Sequence, residues 1–366
     1  MGATAKHDKV KSEQVTLQTI ADQLGVSRTT VSNAFSKPDQ LTPKLRAKIM
    51  KVADELGYCG PDPVARTLRK GKSGSYGILL TESLSYAMTD PAAVILLQGI
   101  AEVFDEKNAG LLVLPSRGDR STGVEAARNA VVDGFLIYSI AEDDPRLAVV
   151  QARNVPHVVI EEPHLPGVAS VSLNDREGAR SIAEHVIGLG HRKLAALTFP
   201  LAEDDWTGLV SPERMAASTI RVSRERLSGY ADAAAANGID WAEVPVFEIV
   251  VNTIEEGRRG AGILLDQGER PTVILTTADQ LAIGAVQAAR ERGLQVPRDI
   301  SIAGFDDIPA AALFDPPLTT VRQPLREKGA LGARLLLDGW EGEPPSLVLP
   351  TELVVRASTG PAPALS

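Results

Sequence analysis

Cysteine is almost absent from this chain. A single Cys59 in 366 residues excludes an intrachain disulfide framework and any cysteine-rich zinc finger. Five histidines are scattered rather than grouped, so no metal site is expected and no cofactor is implied. No apolar segment is long enough to span a membrane, and the polar start MGATAKHDKVKSEQ lacks the apolar run of a secretory signal. A disordered basic arm and a cytoplasmic protein are the expectations. Also missing are a GxxxxGKS or GxxxxGKT phosphate loop, a GxGxxG dinucleotide signature and a GxSxG nucleophile elbow, which counts against an enzyme. The lack of an export signal counts against a secreted solute-binding protein.

Charge is short on one side only, and its distribution matters more than its total. The formal net is -9, yet residues 1 to 74 hold 13 Lys or Arg against 7 Asp or Glu, a net of +6. The remaining 25 basic and 40 acidic residues leave -15 for the body. A basic head on an acidic body suits nucleic-acid binding by the head. Within the head, LQTIADQLG at 17 to 25 places Leu17, Ile20, Ala21 and Leu24 at helical spacing before a glycine break. VSRTTVSNAF at 26 to 35 follows, with Ser27 as N-cap and Val31 and Ala34 as an apolar stripe. Such a pair fits an ordinary helical hairpin with a solvated face. It fits equally a helix-turn-helix whose second helix offers Arg28, Thr29, Thr30 and Asn33 to base edges, and the charge asymmetry favours the latter. A third helix is expected over 42 to 58, capped by Thr42, so that residues 15 to 58 enclose a small all-α core. The segment 59 to 74 reads as a linker with a possible helical turn at 64 to 69.

From residue 75 apolar runs alternate with amphipathic helices. Strands are expected at 76–82, 110–116, 134–140, 157–162, 169–173, 193–199, 244–249, 272–277 and 300–305. Helices are expected at 92–108, 175–189, 254–267 and 279–292. This alternation indicates parallel α/β sheets covered on both faces, in two lobes split near Pro166 and Gly167. The first lobe would span 75–166 with a return near 322–340, and the second 167–321 with a return near 341–357. Ligands of open α/β sheets bind beyond the carboxyl ends of the strands. The residues there include Glu82, Tyr86, Asp90, Tyr138, Ser139, Glu161, Asn174, Asp279 and Asp306, with Arg226 early in a helix that could face the same cleft. Carboxylates and an arginine suit a polyhydroxylated ligand, although Asp306 could equally cap its own turn.

The run from Val15 and Thr16 through IADQLGVS and TVSNAF to LGY, followed by ARTLRKG, resembles the DNA-binding head of the LacI/GalR family of bacterial transcription regulators. The body resembles that family's regulatory core, with the fold of periplasmic sugar-binding proteins. It carries DGFLIYS at 133–139, NDREGAR at 174–180, RLSGY at 226–230, TADQLAIGA at 277–285 and VPRDISIAGFDDIPAA at 296–311. The alanine-rich, high-arginine usage and the GPDPVAR linker give it an actinobacterial flavour.

The resemblance implies a homodimer on double-stranded operator DNA, controlled by a small effector between the lobes. Arg28 and Thr29 would discriminate base pairs. Thr16, Ser27, Thr30 and Ser32 would contact phosphate or set register, and Asn33 stands where many members carry arginine. Ala65 and Leu68 fall in the segment that folds into a hinge helix on the operator, Leu68 matching the leucine wedged into the minor groove. Asp62 replaces the asparagine common before the hinge. Arg226 and Asp306 match the effector-binding arginine and aspartate, and Asn174 lies where a polar residue often helps. Asp279 matches a shared aspartate whose preceding asparagine is here Ala278. Trp206, in an extended loop at 201 to 219, would stack on a ligand or pack over the body. A repressor of sugar or nucleoside uptake or breakdown is the expected function, with a corepressor-dependent regulator of purine or nucleotide metabolism as the alternative.

Overall fold

The computed structural model describes residues 15–60, 71–81, 83–114 and 120–363. Ala65, Leu68 and Glu82 therefore lie outside the described residues. The chain forms two compact units, Met1–Ser73 and Gly74–Ser366.

Among the described residues the head has three α-helices on one small core. Helix α1 is Leu17–Leu24, α2 is Arg28–Ser36 and α3 is Pro43–Glu55. Each starts on a hydroxyl cap: Thr16 accepts from the Thr19 N–H at 3.3 Å, Ser27 from Thr30 at 3.0 Å and Thr42 from Leu45 at 3.4 Å. Such caps satisfy backbone donors that a helix start leaves open. Gly25 turns the chain between α1 and α2 at φ 65°, a conformation that costs glycine no Cβ clash. Ile20, Ala21, Val31, Ala34, Ile49 and Ala53 are fully buried together, so each helix contributes one apolar stripe.

The second unit is built on two sheets. The first has the order β12-β5-β4-β3-β1-β2, with β1 Ser75–Leu80, β2 Gly110–Leu114, β3 Phe135–Tyr138, β4 His157–Ile160, β5 Ala169–Leu173 and β12 Ser346–Leu349, all parallel. The second has the order β10-β9-β6-β8-β7, with β6 Leu194–Thr198, β7 Gly208–Leu209, β8 Val246–Glu248, β9 Val273–Thr276 and β10 Ser301–Ala303. Only β7 in it runs antiparallel. Separate apolar clusters cover the two faces of each sheet, as parallel sheets require.

Two sequence expectations are corrected here. The strand at 169–173 does not open the second lobe: β5 pairs with β4 through Val158–Ala169 and Ile160–Val171, which moves the crossing to Asn174. The segment 341–357 does not return whole to the second lobe either, because β12 pairs with β5 on the edge of the first sheet. Only β13, Glu352–Val354, leaves it to pair antiparallel with β11, Thr320–Arg322. The helix Leu325–Asp338 packs on the helix Pro91–Lys107 of the first lobe, and two glycines allow the close approach. A Cβ on Gly99 would lie 1.9 Å from the Arg326 carbonyl oxygen, and one on Gly329 2.2 Å from that of Leu96. The chain thus passes between lobes three times, which aligns the carboxyl ends of both sheets across one cleft.

Candidate functional site

On α2, Val31 and Ala34 are spent on the core, and helical geometry turns Arg28, Thr29, Ser32 and Asn33 to the opposite side. Arg28 and Thr29 are exposed, whereas Ser32 and Asn33 are half-buried. Four other polar residues, Thr16, Ser27, Thr30 and Asn33, are already engaged. The Ser27 and Thr30 hydroxyls lie 2.8 Å apart at the helix start, and the Thr16 hydroxyl closes a capping box with Thr19. The Asn33 amide donates to Gln40 Oε1 at 3.2 Å. Any duplex contact by these groups must share or replace such bonds, and Arg28 and Thr29 are the exposed side chains of this face. An exposed guanidinium and hydroxyl on the first turn of an exposed helix can reach base edges in a major groove.

In the second unit a cavity of about 170 Å³ opens between the lobes. It is walled by strand-end residues of both sheets, among them Thr81, Tyr138, Ser139, Glu161, Arg226 and Asp306. Ser139 at φ 51°, Glu161 at φ 74° and Asp306 at φ 120° all hold backbone conformations unfavourable to side-chain-bearing residues. Such strain, of order 1–3 kcal/mol each, gathers where a fold aims side chains at a site. Arg226 is buried beneath the cavity. Its Nε donates to Asp175 Oδ1 at 3.0 Å and its Nη1 to the Thr277 carbonyl at 2.6 Å, with Asp306 Oδ1 at 3.4 Å. The Phe305 ring centre is 3.8 Å from the guanidinium. Asp306 also accepts from the Gln323 amide at 2.5 Å, and Lys328 pairs with Glu161. Burial lifts the Asp306 carboxyl to about 7 against the pull of Arg226. Burial likewise lifts Glu162 to about 7, opposed by the Arg221 N–H that it accepts at 2.7 Å.

The remaining residues singled out in the sequence divide. Tyr86 and Asp90 border the cavity, but they also tie the lobes together. The Tyr86 hydroxyl donates to the Asn252 carbonyl at 2.8 Å, and the Gln280 amide donates to Asp90 Oδ1 at 2.8 Å. Asp90 caps its helix as well, accepting from the Ala93 N–H at 2.9 Å. Tyr138 lines the wall, its hydroxyl held protonated by burial. Three expected ligand contacts are not among the lining residues. Asn174 is exposed at the interlobe crossing, while its neighbour Asp175 turns inward to hold Arg226. Asp279 is fully buried with both oxygens spoken for, by the Thr320 hydroxyl at 2.6 Å and the Ile308 N–H at 2.9 Å. Trp206 lies under Arg214, 4.1 Å from its guanidinium.

Thr81, Glu162, Asn252, Gln323 and Lys328 line the cavity without having been singled out. Thr81 and Glu162 sit next to residues that were named, so a wider window at each strand end would have found them. Asn252 and Gln323 lie on connections that carry no local signal, and Lys328 sits inside the helix Leu325–Asp338, where a single lysine looks like part of a solvated face. Among the described residues, three buried oxygens in this cavity have no hydrogen-bond partner: Thr81 Oγ1, Glu161 Oε2 and Asn252 Oδ1. Buried polar atoms are costly to leave unpaired, so these are the atoms a bound molecule would satisfy.

Known proteins share both halves of this architecture. Residues 16–60 match the family described as bacterial regulatory proteins, lacI family, and residues 183–359 match the periplasmic binding protein-like domain. The HTH-type transcriptional regulator Rv3575c of Mycobacterium tuberculosis is 42% identical over 352 residues, covering 95% of this chain and 98% of its own. A lac repressor dimer bound to operator and the anti-inducer ONPF superposes with TM-score 0.76 at 27% identity, covering 95% and 100% of the two chains. A CelR–cellobiose complex does so with TM-score 0.69 at 27% identity, covering 94% and 100%. With a matching head, a matching core and a relative of this identity along nearly its whole length, the chain belongs to the LacI family of bacterial regulatory proteins and is a DNA-binding transcription regulator.

Proposed function

We propose that this regulator is a dimeric repressor whose interlobe cavity takes an uncharged, polyhydroxylated ligand. The observation that carries the reading is the set of buried oxygens without a protein partner, which come from both lobes. Asn252 Oδ1 can only accept, the Glu161 carboxylate paired with Lys328 accepts as well, and Thr81 Oγ1 can do either, so the complementary molecule must bring donors. Vicinal hydroxyls do so. A phosphate ester brings acceptors and negative charge to a wall holding Asp90, Glu161, Glu162 and Asp306 against Arg226 and Lys328. Arg226 and Asp306 are assigned to anchor the ligand, and Arg28 and Thr29 to read the operator. Leu68 is assigned to the minor groove by resemblance alone. Among relatives, the operator-bound dimer and the cellobiose complex support the same scheme.

Calorimetric titration of the purified protein with pentoses, hexoses, their phosphates, nucleosides and purines tests this. A neutral sugar is expected to bind and its phosphate ester to bind at least about tenfold more weakly, the equivalent of one lost hydrogen bond to a charged group. Tighter binding of a phosphate ester or nucleotide would replace the reading with regulation by nucleotide metabolism.

A further inference from the structure

The loop from Leu201 to Ile220, which leaves β6 and returns at the helix Arg221–Ala236, forms part of the cavity wall at both ends. Phe199, Pro200 and Glu203 contribute on the outgoing side, and Ile220 and Val222 on the returning side. The ends are tied at a neck. The Leu201 carbonyl accepts from the Thr219 N–H at 2.9 Å, the Ile220 N–H at 3.2 Å and the Ser218 hydroxyl at 3.0 Å. On its other side, the Leu201 N–H donates to Glu248 Oε1 at 2.7 Å. Glu248 closes β8 and is fully buried. A carboxylate there is tolerable only with a hydrogen-bonded cation beside it.

Arg214, from the middle of the loop, is that cation. Its Nε donates to Glu248 Oε2 at 2.6 Å and its Nη2 to Oε1 at 2.7 Å. The same guanidinium bonds both oxygens of Asp204, at 2.8 and 3.1 Å, and stacks on Trp206. Thr207 adds a bond from its hydroxyl to the Glu248 carbonyl at 2.8 Å. One planar cation therefore holds three parts of the loop on a buried carboxylate, and that carboxylate holds the neck. Lysine keeps the charge but lacks the fork that can serve two carboxylates at once. The clamp also reaches the opposite stretch of wall, because Asn252 follows Glu248 by one short turn of chain.

We propose that Arg214 is a positioning residue for the ligand cavity: through Glu248 and Leu201 it fixes the wall from Phe199 to Glu203 and at Ile220, and so sets ligand affinity without touching the ligand. The proposal rests on the cavity being the effector site, and its test separates the two. Amide hydrogen exchange is followed in the full chain without sugar, for wild type, Arg214→Ala and Arg214→Lys. In Arg214→Ala, exchange at 199–203 and 219–222 rises about tenfold or more, as local opening of an unpaired buried charge requires. In Arg214→Lys it is intermediate, and β9 and operator affinity stay unchanged in both. For the neutral sugar that wild type binds, Arg214→Ala weakens affinity about tenfold or more, with partial rescue by lysine. Faster exchange confined to 204–218, or unaltered sugar affinity, overturns the proposal. If wild type binds no neutral sugar, the effector reading falls and the exchange pattern alone decides whether Arg214 positions the wall.

Discussion

Asp279 and Asp306 each follow a buried strand of the second sheet, yet burial has given them opposite tasks. Asp279 accepts from Thr320 and Ile308 and stays under the surface, organising the turns around it. Asp306, in a left-handed backbone conformation, is turned into the cavity beside Arg226. Nothing local distinguishes them, since each is an aspartate after an apolar run; the difference lies in which distant strand supplies the neighbouring hydroxyl. Arg226 was legible because it sits early in a helix that could face the cleft and matches the family's effector-binding arginine, and Glu161 because it ends a strand. Lys328 was not, because its partner is 167 residues away. Glu162 carries a pH signature that can be checked. Its ordinary value is near 4.5 and the folded value about 7, so the unfolded chain ionises first. Its contribution to stability is whole below about 4.5 and is lost as pH rises through about 7. Glu162→Gln removes that loss while leaving an oxygen for the Arg221 N–H. Thermal melts of the ligand-free protein should show the variant gaining on wild type between pH 4.5 and pH 7, by on the order of 3 kcal/mol at most, with no further change above pH 8. A pH-independent gap would mean that Glu162 ionises freely in the fold.

Secondary structure was largely legible at the scale of elements, and the strand at 169–173 shows why sheet membership was not. Parallel neighbours ordinarily need a crossover of a dozen or more residues, so the short, proline-bearing connection between β4 and β5 reads as a lobe boundary. Long-range pairing overrides that local cue: β5 is held between β4 and a strand from residues 346–349. Glycine placement is similarly non-local. Gly99 and Gly329 look like weak points in two helices, but each lies where the other helix presses its backbone. Gly329→Ala should therefore destabilise the first lobe by roughly 1–3 kcal/mol, the range for overpacking a tight contact, despite alanine's better helix propensity. Urea denaturation measures this, and an unchanged or raised midpoint would show that the helices part at little cost.

At the scale of the molecule, a ligand can alter operator affinity only if it binds one setting of the lobes better than another. The bonds that cross the cavity here, Tyr86 to Asn252, Gln280 to Asp90 and the Arg221 N–H to Glu162, belong to one such setting. A sugar bridging Glu161 on one lobe and Asn252 on the other favours whichever setting brings them to its own span. Coupling of this kind is typically about 1–3 kcal/mol, or roughly 5- to 150-fold, and is reciprocal. The most direct measurement uses a duplex selected by the wild-type protein from a random pool. Its affinity is titrated at fixed salt with and without the neutral sugar found by calorimetry, for wild type and Asp306→Asn. The sugar is expected to shift wild-type operator affinity at least about fivefold, the duplex to shift sugar affinity by the same factor, and Asp306→Asn to keep sugar-free operator binding while losing the shift. A sugar that saturates the wild-type protein yet leaves its operator affinity unchanged would contradict this coupling.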